Sequence, residues 1–271
     1  MTEQEWMLTS LLECRRVDLY AERQSLTPGQ EMRYASMQRR RKEGEPLQYI
    51  LGYCDFMGVR IGVDSRVLIP RPETEILMET ALERIKISLC DDPLRILDLG
   101  TGSGNIAIAL AHHLKYTSVT AVDISSEALA LARHNAASQG VAHKINFVQA
   151  DMTVFLEEGT SVEKQFDVIL SNPPYISTFQ LGRLPRDVRQ EPRIALDGGK
   201  DGLRFIRGLI ACAHRHLRKG GFLLLEIGDG QREAVEEVFA QHSCYRNIRF
   251  YKDYVQTDRI VYAEKIFETE N

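Results

Sequence analysis

The sequence predicts an α/β protein: a parallel sheet with helices on both faces, preceded by a small helical unit and a β-hairpin. Three observations carry this. After residue 76, apolar runs of strand length alternate with helical stretches, the pattern of βαβ units and hence of a parallel sheet. Before residue 53, apolar residues recur at helical spacing. Between the two lie short β-like runs broken by turn residues. A chain of 271 residues is long for one core and comfortable for a main unit with an appendage.

In chain order, the helical unit is expected over 1–53, with Leu8, Leu11, Leu12, Val17, Leu19 and Tyr20 on its apolar faces and Leu26-Thr27-Pro28-Gly29 as a turn between helices. Its last third carries Arg39-Arg40-Arg41-Lys42, which on a helix is ordinarily a solvated face and otherwise a contact for an acidic or RNA-bearing partner. A hairpin linker is expected over 54–75, pairing Met57–Ile61 with Arg66–Ile69 across Gly62–Ser65. The sheet-bearing unit, 76–271, should contain strands Arg95–Leu99, Ser118–Val122, Ile145–Gln149, Phe166–Ser171, Phe222–Ile227 and Arg259–Glu264, with a helix from Gly230 to about His242.

Composition narrows the classes of function. The 34 Lys and Arg against 38 Asp and Glu give a net charge of -4, which argues against a chain-wide grip on nucleic acid, so no stable nucleic-acid binding is expected. No apolar run approaches a membrane span, and no leader-like segment follows Met1. Five scattered cysteines without a C-x-x-C pair fit a reducing, cytoplasmic setting. The histidines form no metal-binding group, so no metal is expected.

Asp98-Leu99-Gly100-Thr101-Gly102-Ser103-Gly104 follows the first apolar strand and opens a helix near Asn105. Glycines let the backbone turn sharply and approach a ligand, while unpaired helix N–H groups face it. Gly102 to Ala107 also satisfies the G-x-G-x-x-A form of a dinucleotide fingerprint, with Asp123 at the distance of a ribose-binding acid, so NAD competes. Acids at Asp98, Asp123 and Asp151, one near the end of each of three strands, favour an adenosyl-amino-acid ligand instead. Asp123 would accept from the ribose hydroxyls, and Asp151 would lie near the adenine amino group. Each acid alone is ordinarily a turn or capping residue.

The most informative segment is Ser171-Asn172-Pro173-Pro174-Tyr175-Ile176, where an apolar strand runs into two prolines. Proline fixes its own torsion, lacks an N–H and holds the preceding residue extended, so nearby carbonyls are presented rigidly. A planar NH₂ group can donate to the Asn172 side-chain oxygen and to the Pro173 carbonyl while Tyr175 packs on its face. Such a clamp suits methyl transfer to a planar nitrogen, either an amide or an adenine amine. The ordinary reading of Asn-Pro-Pro is a strand-terminating turn, which the neighbouring glycine loop makes less attractive.

Several segments in order carry a family resemblance: Glu45-Pro46-Leu47-Gln48-Tyr49-Ile50-Leu51-Gly52, Leu68-Ile69-Pro70-Arg71-Pro72-Glu73-Thr74-Glu75, the glycine loop, the Asn-Pro-Pro-Tyr step and Glu191-Pro192-Arg193-Ile194-Ala195-Leu196-Asp197-Gly198-Gly199. Over nearly its whole length the chain resembles the bacterial N5-glutamine methyltransferases that modify class I peptide chain release factors. The Asn-Pro-Pro-Tyr step alone is shared with adenine-N6 methyltransferases, which remain the alternative.

The resemblance implies a class I S-adenosylmethionine-dependent methyltransferase fold, Rossmann-like, with a seven-stranded mostly parallel sheet containing one antiparallel strand. It also implies a helical substrate-recognition domain, S-adenosyl-L-methionine as cofactor, S-adenosyl-L-homocysteine as its product, and the glutamine of a release-factor Gly-Gly-Gln loop as substrate. Carried over by position, Gly100, Thr101, Gly102, Ser103, Gly104, Asp123, Ile124, Asp151, Met152 and Asn172 would hold the cofactor. Asn172, Pro173, Pro174 and Tyr175 would hold the glutamine and carry the catalysis. Met152 stands where the family often has an aromatic residue against adenine, and its sulfur can pack on a ring.

Overall fold

A computed structural model describes residues 1–21, 25–88, 93–157 and 165–266. Four helices open the chain: α1 (Glu3–Leu12), α2 (Asp18–Ala21), α3 (Pro28–Lys42) and α4 (Leu47–Leu51). Thr2 and Thr27 start α1 and α3 with reciprocal capping boxes to Glu5 and Gln30, and Pro28 occupies the first turn of α3, where its missing N–H is harmless. Thus Pro28-Gly29, expected in a turn, is already helical. The basic cluster on α3 is drawn inward: Arg40 pairs with Glu45 at 2.5 Å, and Arg41 with Glu3 at 2.8 Å and Asp187 at 3.6 Å. Half of that run is therefore engaged in fastening the helical unit rather than facing solvent.

The hairpin is β1 (Tyr53–Phe56) against β2 (Val59–Gly62), with Phe56 opposite Val59. Its turn is Met57-Gly58, both at positive φ (50° and 76°), the geometry of a tight two-residue turn whose twist suits the strands. The expected pairing of Met57–Ile61 with Arg66–Ile69 is therefore corrected. Arg66–Ile69 forms no strand because its backbone finds other partners: the Val67 carbonyl accepts from Tyr49 Oη and the Ile69 N–H donates to the Glu191 carboxylate. Asn135 fastens the hairpin's end, accepting from the Gly62 N–H and donating to the carbonyls of Gly62 and Ser103.

After α5 (Pro72–Ser88) come β3 (Leu94–Leu99), α6 (Asn105–His113), β4 (Thr117–Asp123), α7 (Ser126–Ser138), β5 (Ile145–Gln149), α8 (Met152–Glu157) and β6 (Phe166–Ser171). Then follow α9 (Arg204–His216), β7 (Leu217–Glu226), α10 (Arg232–Ala240), β8 (Tyr245–Lys252) and β9 (Asp258–Lys265). The sheet order is β5-β4-β3-β6-β7-β9-β8, parallel from β5 to β7, with β9 reversed between β7 and β8. Strand alternation sorts side chains to two faces. Ile96, Val168 and Leu224 join one core with the hairpin's Phe56 and Ile61, while Leu97, Ile169 and Leu225 join the other with Ile206 of α9 and Val235 of α10. From β3 the chain moves outward to β4 and later returns on the other side as β6. This switch point opens a crevice beyond the strand ends, the ordinary ligand position in such sheets.

Candidate active site

The glycine loop leaves β3 and turns into α6 with Gly100, Gly102 and Gly104 at φ of 76°, 53° and 81°, a region other residues enter only with strain. Space matters as much as torsion. A Cβ on Gly104 would lie 3.1 Å from both Ala132 and Ile108, whereas one on Gly102 would meet nothing within 4 Å. Asp98 lies beneath the loop, fully enclosed, accepting from the Thr101 hydroxyl at 2.6 Å, and burial pushes its carboxyl up to about 7. It braces the turn and does not line the crevice, so of the three strand-end acids only two face the cleft.

Asp123 ends β4 and ties two loops together. One carboxylate oxygen accepts from the Gly102 N–H at 2.8 Å and the other from the Ser125 N–H at 2.9 Å, each keeping a further lone pair. Burial raises its pKa, against the pull of these amides. Asp151 caps α8: Thr153 N–H, Thr153 hydroxyl and Val154 N–H all converge on Oδ1. Burial pushes the Asp151 pKa up, but these hydrogen bonds more than offset it and the net shift is downward.

A cleft of about 250 Å³ lies over these groups, walled by Gly100, Gly102, Asp123, Ile124, Asp151 and Met152. Asn172 and Pro174 also line it. Thr101 and Ser103 are buried, their side chains turned into the fold, and Gly104 is the N-terminal cap of α6. These three shape the loop rather than line the cleft. The residues present fit an adenosyl-amino-acid cofactor: a glycine cradle with open space at Gly102, a carboxylate at each of two strand ends, and the Met152 side chain on the wall.

A smaller pocket of about 60 Å³ adjoins it, lined by Leu68, Arg71, Asn172, Pro173, Tyr175, Ile176, Val188, Ala195 and Leu196. Asn172 lines both cavities, while Pro173 and Tyr175 face only the small one and Pro174 only the large one. The floor of the small pocket is built by segments remote in sequence. Glu191, nearly enclosed, pairs with Arg71 at 2.5 Å and accepts from the Ile69 N–H at 3.1 Å. Ile176 pairs with Asp197, and Gly198 packs so tightly under Pro174 that a Cβ there would lie 2.7 Å from its carbonyl.

Two side chains behind the Asn-Pro-Pro-Tyr step escaped the sequence reading. Asn172 Nδ2 donates to Thr74 Oγ1 at 3.0 Å, Thr74 donates to Glu226 at 2.7 Å, and Tyr175 Oη donates to the other Glu226 oxygen at 3.1 Å. The available signal was an acid closing the apolar run Phe222-Leu223-Leu224-Leu225. Burial pushes Glu226 up to about 7, and both burial and the neighbouring Glu226 raise the Tyr175 phenol.

Known proteins resemble the chain in both of its parts. A family model described as a methyltransferase domain matches residues 91–262, and one described as the PrmC N-terminal domain matches residues 2–52. The methyltransferase structure from Pyrococcus furiosus superposes with a TM-score of 0.53 at 21% identity, covering 86% of this chain and all of that one. The hMettl16 catalytic domain, solved with an RNA hairpin, superposes at 0.61 and 14% identity, covering 90% and 84%. At such identities these likenesses show the fold alone, that of class I S-adenosylmethionine-dependent methyltransferases.

Sequence relatives are more specific. The release factor glutamine methyltransferase of Moorella thermoacetica is 42% identical over 89% of this chain and 82% of its own length. That of Thermodesulfovibrio yellowstonii is 38% identical over 97% and 92%. With the likeness running through both the helical and the sheet-bearing parts, the chain belongs to the release factor glutamine methyltransferase family.

Proposed function

We propose that this protein transfers a methyl group from S-adenosyl-L-methionine to the side-chain nitrogen of the glutamine in the Gly-Gly-Gln loop of class I release factors. The observation that carries the reading is the place of Asn172, whose side chain lines both the cofactor-sized cleft and the small apolar pocket. When bound, the cofactor supplies an electrophilic methyl group. The chain's task is to present a nitrogen whose lone pair is delocalised into its carbonyl. Asn172 Oδ1 and the Pro173 carbonyl accept its two N–H bonds, and both oxygens stabilise the positive charge that grows on it. Tyr175, Leu68 and Ile176 wall the side chain and exclude water, and the rigid diproline holds the acceptors in place without reorganisation.

On the cofactor side, Asp123 receives the ribose hydroxyls, Asp151 Oδ2 faces the adenine amino group, and Ile124 and Met152 flank the ring. Gly100 to Gly104 make room for the amino-acid portion. The helical unit, 1–53, recognises the release factor, with residues 54–75 joining it to the catalytic unit, 76–271, and the protein acts in the reducing cytoplasm. No stable nucleic-acid complex is part of this reading. Among the described residues no helix is long and apolar enough to cross a membrane. Membership of the glutamine family disfavours the adenine alternative.

The test is an incubation of full-length protein with S-adenosyl-L-methionine and either a release factor or DNA, followed by mass spectrometry of both. A methyl group on the Gly-Gly-Gln glutamine is expected, and methylated adenine beside an untouched release factor would refute the proposal. Asn172→Ala is expected to abolish transfer while cofactor binding, read by calorimetry, persists.

A further inference from the structure

Glu226 closes β7 fully enclosed, with no salt bridge to it among the described residues; the nearest cationic influence, Arg259, is paired with Asp253. A buried carboxylate held only by two hydroxyls is unfavourable unless it does something an apolar residue cannot. Its partners suggest what that is. Thr74 and Tyr175 both donate to it, and Thr74 also receives the Asn172 amide.

The logic is one of proton counting. A threonine hydroxyl has a single proton, and Glu226 in its ionised form, the form present above the pKa to which burial raises it, can only accept. Thr74 therefore gives its proton to Glu226 and is left with lone pairs alone for Asn172. Asn172 must then turn its NH₂ toward Thr74 and its Oδ1 away. That matters because an asparagine side chain has two nearly isosteric orientations, and only one offers an acceptor to a substrate amide. With the other, two NH₂ groups would confront each other.

We infer that Glu226, acting through Thr74, is the positioning group that fixes the side-chain orientation of Asn172 and so holds its oxygen toward the nitrogen to be methylated. This rests on the proposed role of Asn172 as acceptor for the substrate amide. Neither Glu226 nor Thr74 lines the cleft or the pocket, so neither touches substrate or cofactor. The same carboxylate anchors the Tyr175 phenol, so the flanking residues of the diproline share one support.

The test uses full-length protein, S-adenosyl-L-methionine and an intact release factor, with Thr74→Val, Thr74→Ser and Glu226→Gln. Thr74→Val keeps the shape and removes the relay; it is expected to lower kcat by about 10- to 100-fold, while KM for the release factor and the cofactor Kd change less than about threefold. Thr74→Ser restores the hydroxyl and is expected to return kcat to within about threefold of wild type. Glu226→Gln gives Thr74 or Tyr175 a donor to face and is expected to lower kcat like Thr74→Val. A fully active Thr74→Val, or a folded Thr74→Ser as slow as Thr74→Val, overturns the relay. If Glu226→Gln folds poorly, the two Thr74 variants decide alone. Wild-type protein that leaves the glutamine unmethylated defeats the functional reading itself, whereas active wild type beside a fully active Thr74→Val defeats only the relay.

Discussion

Arg71 and Glu191, 120 residues apart in the chain, meet at 2.5 Å beneath the small pocket, and the same carboxylate takes the Ile69 N–H. One acid thus holds together the two loops that carry most of the pocket wall. Glu191→Ala would leave a buried N–H and a half-buried guanidinium without a partner. A loss of about 2–4 kcal/mol in unfolding free energy is expected, read by denaturant titration. KM for the release factor should rise in the same variant, because Leu68 and Arg71 line the pocket.

Gly198 supports the diproline from below. A Cβ there would lie 2.7 Å from the Pro174 carbonyl and 2.8 Å from Tyr175 Cα, both backbone atoms that cannot swing aside. Gly198→Ala is expected to cost about 2–4 kcal/mol of stability and to cut kcat severely. Gly29→Ala, on an open helical site, is the control and should be neutral or slightly stabilising by thermal melting.

Asp123 accepts an N–H on each oxygen. Asp123→Asn would turn an NH₂ toward one of those donors, loosening the glycine loop as well as removing a charge. Cofactor affinity is expected to fall about 10- to 100-fold by calorimetry, with little change in the far-ultraviolet circular dichroism.

Stability should also carry a pH signature from Glu226. An ordinary glutamate loses its proton near 4.5, whereas burial holds this one up to about 7 in the folded protein. Between those values the unfolded chain binds fewer protons than the folded one, so stability falls as pH rises and levels off above about 7. Glu226→Gln removes this contribution, so across that window the variant should gain on wild type by at most about 3 kcal/mol, measured by denaturant unfolding at pH 5 and pH 8. Asp98, raised to about 7 by the same burial, leaves a residual decline in the variant.

The inner strands were legible because each is a run of apolar residues ending in a turn or glycine. Phe166–Ser171 is buried at every position, and its predicted bounds coincide with those observed. The edge strand Tyr245–Lys252 was not read from the residues: Arg246, Asn247 and Arg249 face solvent, and a bulge between Arg246 and Arg249, with Asn247 at a φ of 53°, breaks the alternation. The start of β7 was missed because Lys219-Gly220-Gly221 reads as a turn, while in the sheet it lies in a bulge between the Phe166–Leu217 and Val168–Phe222 pairs.

In the site, Asn172 to Tyr175 declared themselves through proline chemistry, and the glycines through their spacing. The supports did not. Glu191 is joined to Arg71, Glu226 to Thr74 and Asn135 to Gly62 across 120, 152 and 73 residues respectively. A one-dimensional pattern holds no trace of which distant acid faces which hydroxyl.

The three hydrogen bonds that tie Asn135 to Gly62 and Ser103 bear on how the chain divides into parts. A fragment beginning at residue 76 would strip two of those three bonds from a side chain only 3% exposed, and would also remove Phe56, Val59 and Ile61 from the core. The hairpin that joins the two units is thus also a wall of the sheet-bearing one. Even α4 belongs to that wall, through Tyr49 in the same core. By contrast, among the described residues α1 to α3 lend no side chain to either core, and their ties to the rest are polar, such as Arg40 to Glu45 and Arg41 to Asp187.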